Sequence, residues 1–129
     1  MQGKYKVLLV DDDASVCKAY TMLLKSDGHE VQTVDNGGAA LAMLKAGKFD
    51  LIITDYLMPG MQGDELARLI KQNWPNYPII MATASVEKLN DAGKGKAAVD
   101  YVLEKPFTLA ELREAMIWVI SLWPETGVF

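Results

Sequence analysis

An open α/β fold on a parallel sheet is what this sequence predicts, and three observations carry that prediction. Short aliphatic runs recur at Tyr5–Val10 (YKVLLV), Leu51–Thr54 (LIIT) and Pro78–Ala82 (PIIMA), too continuously apolar to leave one side in water. Helix-length segments with apolar residues spaced by three and four lie between them. The two patterns alternate along the chain, as they do where crossover helices join parallel strands.

The first strand runs into three acids, Asp11, Asp12 and Asp13. Asp13 suits the N-cap or first turn of the next helix, where a carboxylate meets unpaired N–H groups and the positive end of the dipole. That helix carries Val16, Tyr20, Leu23 and Leu24 on one stripe and ends at Ser26-Asp27-Gly28. Glu30–Val34 (EVQTV) mixes polar and apolar positions, as a strand at a sheet rim does. Asn36-Gly37-Gly38 opens a second helix anchored by Leu41 and Leu44. The third strand ends in Asp55, Pro59-Gly60 breaks the chain, and Leu66 and Ile70 anchor the third helix. The fourth strand leads to Thr83. The segment Val86–Val99 has only Val86 and Leu89 as clear anchors and contains Asn90, Asp91, Gly93 and Gly95, which predicts a short, frayed or mobile helix. Tyr101–Glu104 (YVLE) reads as the second rim strand and ends at Lys105. A capping-box signature, Thr108 and Glu111, opens the last helix, whose stripe is Leu112, Met116, Val119 and Trp123 and which stops before Pro124.

The chain has 129 residues, enough for one domain with a real core and short for two. We read 1–129 as one unit, with about 124–129 a tail or linker stub. With 17 acidic and 13 basic side chains the net charge is −4, and half of the residues are hydrophobic, which excludes a disordered chain. Scattered lysines and arginines on an acidic chain argue against direct nucleic-acid binding. No run approaches the ~20 apolar residues of a membrane helix. The start, MQGKYKVLLVDDD, turns acidic where a signal peptide stays apolar, so a cytoplasmic location is expected. The single cysteine, Cys17, reads as a small apolar filler on a helix.

In open parallel sheets, functional residues gather at the carboxyl ends of the strands, where the strand order reverses. Here those ends carry Asp11, Asp12 and Asp13, then Asp55, Thr83 and Lys105. Crowded carboxylates raise one another's pKa unless a cation compensates. A few carboxylates with open positions suit Mg²⁺, which keeps waters and accepts phosphate oxygens. A carboxylate beside a metal and an ammonium group can attack a phosphoryl group and form an acyl phosphate. Thr83 could donate a hydroxyl to the phosphoryl oxygens while Lys105 neutralises their charge. No GxxxxGK[ST] loop occurs, so nothing points to nucleotide binding of that kind.

The segments VLLVDDD, DNGGAAL, DLIITDYLMPGMQGDEL, PIIMATAS and EKPFTLAEL together resemble the receiver domain of two-component response regulators, over nearly the whole chain. The resemblance implies a flavodoxin-like, doubly wound sheet of five parallel strands in the order 2-1-3-4-5, with five helices. It implies that Asp55 is the phosphoacceptor. Asp11, Asp12, Asp55 and the backbone carbonyl of Leu57 would hold Mg²⁺ or Mn²⁺, Asp12 as a direct ligand. Thr83 and Lys105 match the family's switch hydroxyl and phosphate-pairing lysine, and the small Ala84 leaves the phosphoryl group reachable. A cis peptide before Pro106 follows from the same resemblance. Two positions depart from the pattern. The aromatic residue usual three positions before the lysine is Val102 here, with Tyr101 one place earlier; either the fifth strand carries an extra residue or the aromatic switch is altered. Gln62 replaces an acid common in the loop after Pro59, a change expected to be neutral.

Taken singly, these residues have plainer readings: Asp55 as a turn cap, Thr83 as a strand threonine, Lys105 as a surface lysine. Their joint placement at strand ends argues for the sharper one. His29 reads as half-buried packing, and Trp74, Trp118 and Trp123 as packing too. On the last helix Ile117 and Trp118 fall roughly 120–140° from the main stripe, on opposite flanks. They predict leftover apolar surface and a contact face on helix 4, strand 5 and helix 5, for a homodimer or an output partner.

The expected function is therefore a regulatory phosphoacceptor and not an enzyme. A sensor histidine kinase or phosphotransfer protein donates a phosphoryl group to Asp55, and the altered conformation controls an output domain or effector protein. Two rivals stand beside it. Asp11-x-Asp13 followed by Ser15 resembles the signature of haloacid-dehalogenase-type phosphatases, with Asp11 as nucleophile. An interaction module that works without phosphorylation would keep only the fold.

Overall fold

The computed structural model describes residues 4–90 and 98–122. Within them five strands and five helices alternate: β1 (Lys6–Val10), α1 (Ala14–Ser26), β2 (Glu30–Val34), α2 (Gly37–Ala46), β3 (Leu51–Asp55), α3 (Gly63–Asn73), β4 (Ile79–Thr83), α4 (Val86–Asn90), β5 (Tyr101–Glu104) and α5 (Leu109–Ser121). The strands form one parallel sheet in the order β2-β1-β3-β4-β5. The two strands of mixed composition, β2 and β5, are its edges, and the order reverses between β1 and β3.

Successive strand residues point to opposite faces, and each face has its own core. Val7, Leu9, Leu51, Ile53, Ile80 and Leu103 pack with Leu24 of α1 and with Leu112, Met116 and Val119 of α5. Leu8, Val10, Ile52 and Ile79 pack instead on Leu44 of α2 and on Leu66 and Ile70 of α3. Burial on both faces is the reason the central strands read as unbroken aliphatic runs, and each fully buried Leu or Ile contributes about 1.5–3 kcal/mol.

Helix ends follow their local chemistry. Asp13 caps α1, its carboxylate accepting the N–H groups of Ser15 (2.9 Å) and Val16 (3.2 Å). The helix closes at Gly28, where a φ of 88° lets Gly28 and His29 donate back to the carbonyls of Lys25 and Leu24. Asn36 caps α2 through the N–H of Ala39 at 2.7 Å. The capping box of α5 is formed in both directions, Glu111 N–H to the Thr108 hydroxyl (3.1 Å) and Thr108 N–H to the Glu111 carboxylate (2.9 Å). In α5 the stripe of Leu112, Met116 and Val119 is buried, whereas Ile117 and Trp118 are 52% and 49% exposed. Part of the predicted fourth helix, with Asp91, Gly93 and Gly95, lies outside the described residues, as do Trp123 and the 124–129 tail.

His29 departs from the expected half-burial: it is only 4% exposed. Its Nδ1 accepts the Tyr5 N–H at 3.1 Å and its ring stacks on that of Tyr5, so the turn between α1 and β2 is tied to the start of β1. Among the described residues its Nε2 has no hydrogen-bond partner. Burial pulls its pKa below the usual histidine value, against a smaller opposing effect of the Asp27 charge. The neutral ring is therefore the folded form. Its contribution is complete above about pH 6.5 and is lost as the pH falls below, because the unfolded chain binds the proton more readily. His29→Gln is expected to flatten the dependence of unfolding free energy on pH below about 6.5, read from urea titrations at several pH values.

Candidate functional site

The pleat that separates the two cores also assembles the site. On the face shared with α1 and α5, Val7 and Leu9 are followed by Asp11, Leu51 and Ile53 by Asp55, and Leu103 by Lys105. β1 and β3 run in register, Leu9 beside Ile53 and Val10 beside Thr54. Two carboxylates therefore leave the carboxyl edge of the sheet side by side, at the point where the strand order reverses.

Lys105 stands between them. Its Nζ lies 2.6 Å from Asp11 Oδ2 and 3.5 Å from Asp55 Oδ1. Asp11 is buried and uses its other oxygen to accept the Asp13 N–H at 2.9 Å. Asp12 is exposed beside it. One carboxylate oxygen from each of Asp11, Asp12 and Asp55 can be chosen so that all three lie within 4.8 Å of one another. Asp55 Oδ1 also accepts the N–H of Tyr56 at 2.8 Å.

Thr83 is buried at the tip of β4, where its hydroxyl oxygen accepts the Ser85 N–H at 2.9 Å. Its carbonyl accepts the Lys105 N–H, also at 2.9 Å, so the threonine and the lysine are joined through the backbone. Ala84 and Leu57 are exposed, and the Lys105–Pro106 peptide is cis. β5 pairs residue for residue with β4 from Ile80 beside Tyr101 to Thr83 beside Glu104. The paired stretch contains no bulge. Tyr101 packs on the α5 face, its ring 5.9 Å from that of Trp118. Val102 points the other way, against Tyr56 and Met81.

The charges set the chemistry. Burial, and then the Asp11 charge, hold the Asp55 carboxyl above the usual carboxylate range, although Lys105 and the Tyr56 amide oppose them. Burial pulls Lys105 down, but its hydrogen bond to Asp11 and the charges of Asp55 and Asp11 outweigh this and raise it. Lys105 is thus a permanent ammonium. Cys17 donates its thiol to the Asp11 carbonyl at 3.3 Å, and burial pushes its pKa up, which suits a filler.

Sequence reasoning passed over Gly63. At the start of α3 its N–H donates to the Tyr56 carbonyl at 2.8 Å, and a Cβ built there would lie 1.9 Å from the Asp55 carbonyl oxygen. The signal was present in MPGMQGDEL as a second glycine with no turn of its own to make.

An acidic pair after β1, an aspartate at the tip of β3 and a lysine after β5 can be set beside known proteins. A family model described as the response regulator receiver domain matches residues 7–117. The chain belongs to this family. Chemotaxis protein CheY-3 of Vibrio cholerae is 37% identical to it over 114 residues, 86% of this chain and 88% of that protein. Response regulator protein FleR of Pseudomonas aeruginosa is 40% identical over 104 residues, 79% of this chain and 22% of FleR. Among solved structures, response regulator TrrA of Thermotoga maritima, in complex with Mg²⁺-BeF, has a TM-score of 0.82 at 31% identity, covering 89% of this chain and 97% of that one. The receiver is thus a regulatory module of two-component signalling with the CheY-like fold. No helix among its described residues is long and apolar enough to cross a membrane.

Because the backbone of Gly63 has no room for a side chain, Gly63→Ala is expected to lower the unfolding free energy of the receiver by about 1–3 kcal/mol, measured as a shift of the urea midpoint at constant m.

Proposed function

We propose that Asp55 accepts a phosphoryl group from a sensor histidine kinase or phosphotransfer protein, and that the phosphorylated receiver controls an output domain or effector protein. The observation that carries this reading is the convergence of three carboxylates, two of them on a single ammonium group. Negative charge is left uncompensated among oxygen donors, a set that fits Mg²⁺ and, with the same ligand preference, Mn²⁺. Asp11, Asp12, Asp55 and the Leu57 carbonyl would hold the ion. Bound there, it would neutralise charge on the phosphoryl oxygens. The Mg²⁺-BeF complex of TrrA supports the assignment by similarity.

The chain's own residues supply the rest. The Tyr56 N–H holds one oxygen of Asp55 and so fixes the plane of the carboxylate. Lys105, permanently charged and 3.5 Å away, pairs with the added phosphoryl group. The Thr83 oxygen already accepts from Ser85, which leaves its proton for a phosphoryl oxygen. Because Thr83 and Lys105 share a backbone hydrogen bond, a pull on either moves the tips of β4 and β5 together. Moving a two-state equilibrium from 1:99 to 99:1 takes about 5.5 kcal/mol. Two or three charge-assisted hydrogen bonds of about 1.5–3 kcal/mol each supply it. Tyr101 is the aromatic that a shift of β5 would carry, and exposed Ala84 leaves the approach to Asp55 open.

The phosphatase reading with Asp11 as nucleophile has less support. Both Asp11 oxygens are engaged, by Lys105 and by the Asp13 N–H, and Asp13 is occupied in capping α1. FleR holds its similar segment within a much longer regulator, which fits output through a further domain. Ile117 and Trp118, both exposed, the latter beside Tyr101, are the surface we assign to a homodimer or output contact.

With Mg²⁺ and acetyl phosphate, intact-mass spectrometry is expected to show one added phosphoryl group on the wild type and none on Asp55→Asn. Chelating the metal should cut the labelling rate at least about tenfold; full labelling of Asp55→Asn would refute the assignment. Ile117→Lys is expected to shift sedimentation equilibrium toward the monomer while changing stability by less than about 0.5 kcal/mol. An unchanged association constant would remove this residue from the interface.

A further inference from the structure

We propose that Tyr56 is a positioning residue that transmits the occupancy of Asp55 to helix α4, an inference that rests on the phosphoacceptor reading above. Tyr56 follows Asp55 directly, and its N–H donates to the carboxylate at 2.8 Å. The peptide unit between the two residues therefore answers to whatever sits on that carboxylate. An oxygen that has bonded to phosphorus or beryllium spreads its charge and accepts a hydrogen bond less strongly than a bare carboxylate oxygen does. The Tyr56 N–H contact weakens when Asp55 is loaded.

The side chain carries that change outward. Tyr56 is 7% exposed yet belongs to neither main core; it packs with Met81 of β4, Val102 of β5 and Val99 in a small cluster of its own. At the far end its phenol donates to the Lys88 carbonyl in α4, at 3.4 Å. One rigid ring thus connects the tip of β3 to α4 across two other strands. α4 is described over Val86–Asn90, and the bond to the Lys88 carbonyl falls within it. The Tyr56 hydroxyl is thus a tether on α4 whose other end rests on Asp55.

The test is hydrogen exchange read by mass spectrometry on peptides covering residues 84–90. The full chain is used in Mg²⁺, with and without saturating beryllofluoride, whose uptake is followed separately by fluorine NMR. In the wild type, beryllofluoride is expected to change exchange in this segment. Tyr56→Phe keeps the ring and removes only the hydroxyl. It should speed exchange there about two- to tenfold in the free protein and remove at least half of the beryllofluoride response, with beryllofluoride still bound. Lys88→Ala, which keeps the accepting carbonyl, should behave as the wild type. Equal exchange and equal response in Tyr56→Phe and wild type, both loaded, would overturn the proposal. In the unsubstituted chain the ring resonances of Tyr56 should shift on loading, and unmoved resonances would overturn it equally. A wild type that takes up no beryllofluoride would instead overturn the phosphoacceptor reading, and this inference with it.

Discussion

The placement of the Lys105 ammonium among acids governs the receiver. Asp11 and Asp55 leave neighbouring strands on the same face, and without a cation between them their repulsion and desolvation would oppose closing the sheet at that edge. Lys105 resolves the conflict from the far edge of the sheet, 2.6 Å from one carboxylate and 3.5 Å from the other. A single ammonium compensates them only in part. The fold thereby holds a concentration of negative charge that a hard cation can answer, at a place fixed by the ends of β1, β3 and β5.

Sheet and site are built by one rule. Alternation gives each face its core, and carrying the same alternation to the strand ends delivers acid, acid and amine after Leu9, Ile53 and Leu103. The helices then secure the rim. Asp13 caps α1 and gives its own N–H to Asp11, so the residue that starts the helix also orients the buried acid. Thr83 and Lys105 are joined by the last rung between β4 and β5.

What was legible in the sequence was whatever short-range chemistry decides. The cap at Asp13, the Gly28 stop, the Asn36 cap and the Thr108–Glu111 box are each made within five residues, and each stands where composition placed it. The edge strands were legible because edges tolerate polar residues. Strand limits moved by one residue for tertiary reasons: Tyr5 gives its N–H to the His29 ring, and Pro78 has none to give. The burial of His29, the pressure on Gly63 and the reach of Tyr56 depend on partners 8 to 32 positions away, which periodicity does not encode. The opposite facing of Tyr101 and Val102 became visible only with the β4–β5 pairing.

The contact between Gly63 and the Asp55 carbonyl makes the site tight on one flank. Where α3 begins, backbone is pressed against backbone with no side chain to yield, and the Tyr56 carbonyl is latched by the Gly63 N–H. Only a residue without a methyl group fits where α3 starts against the Asp55 carbonyl, so the distance of that helix from the acid's own backbone is set by a glycine.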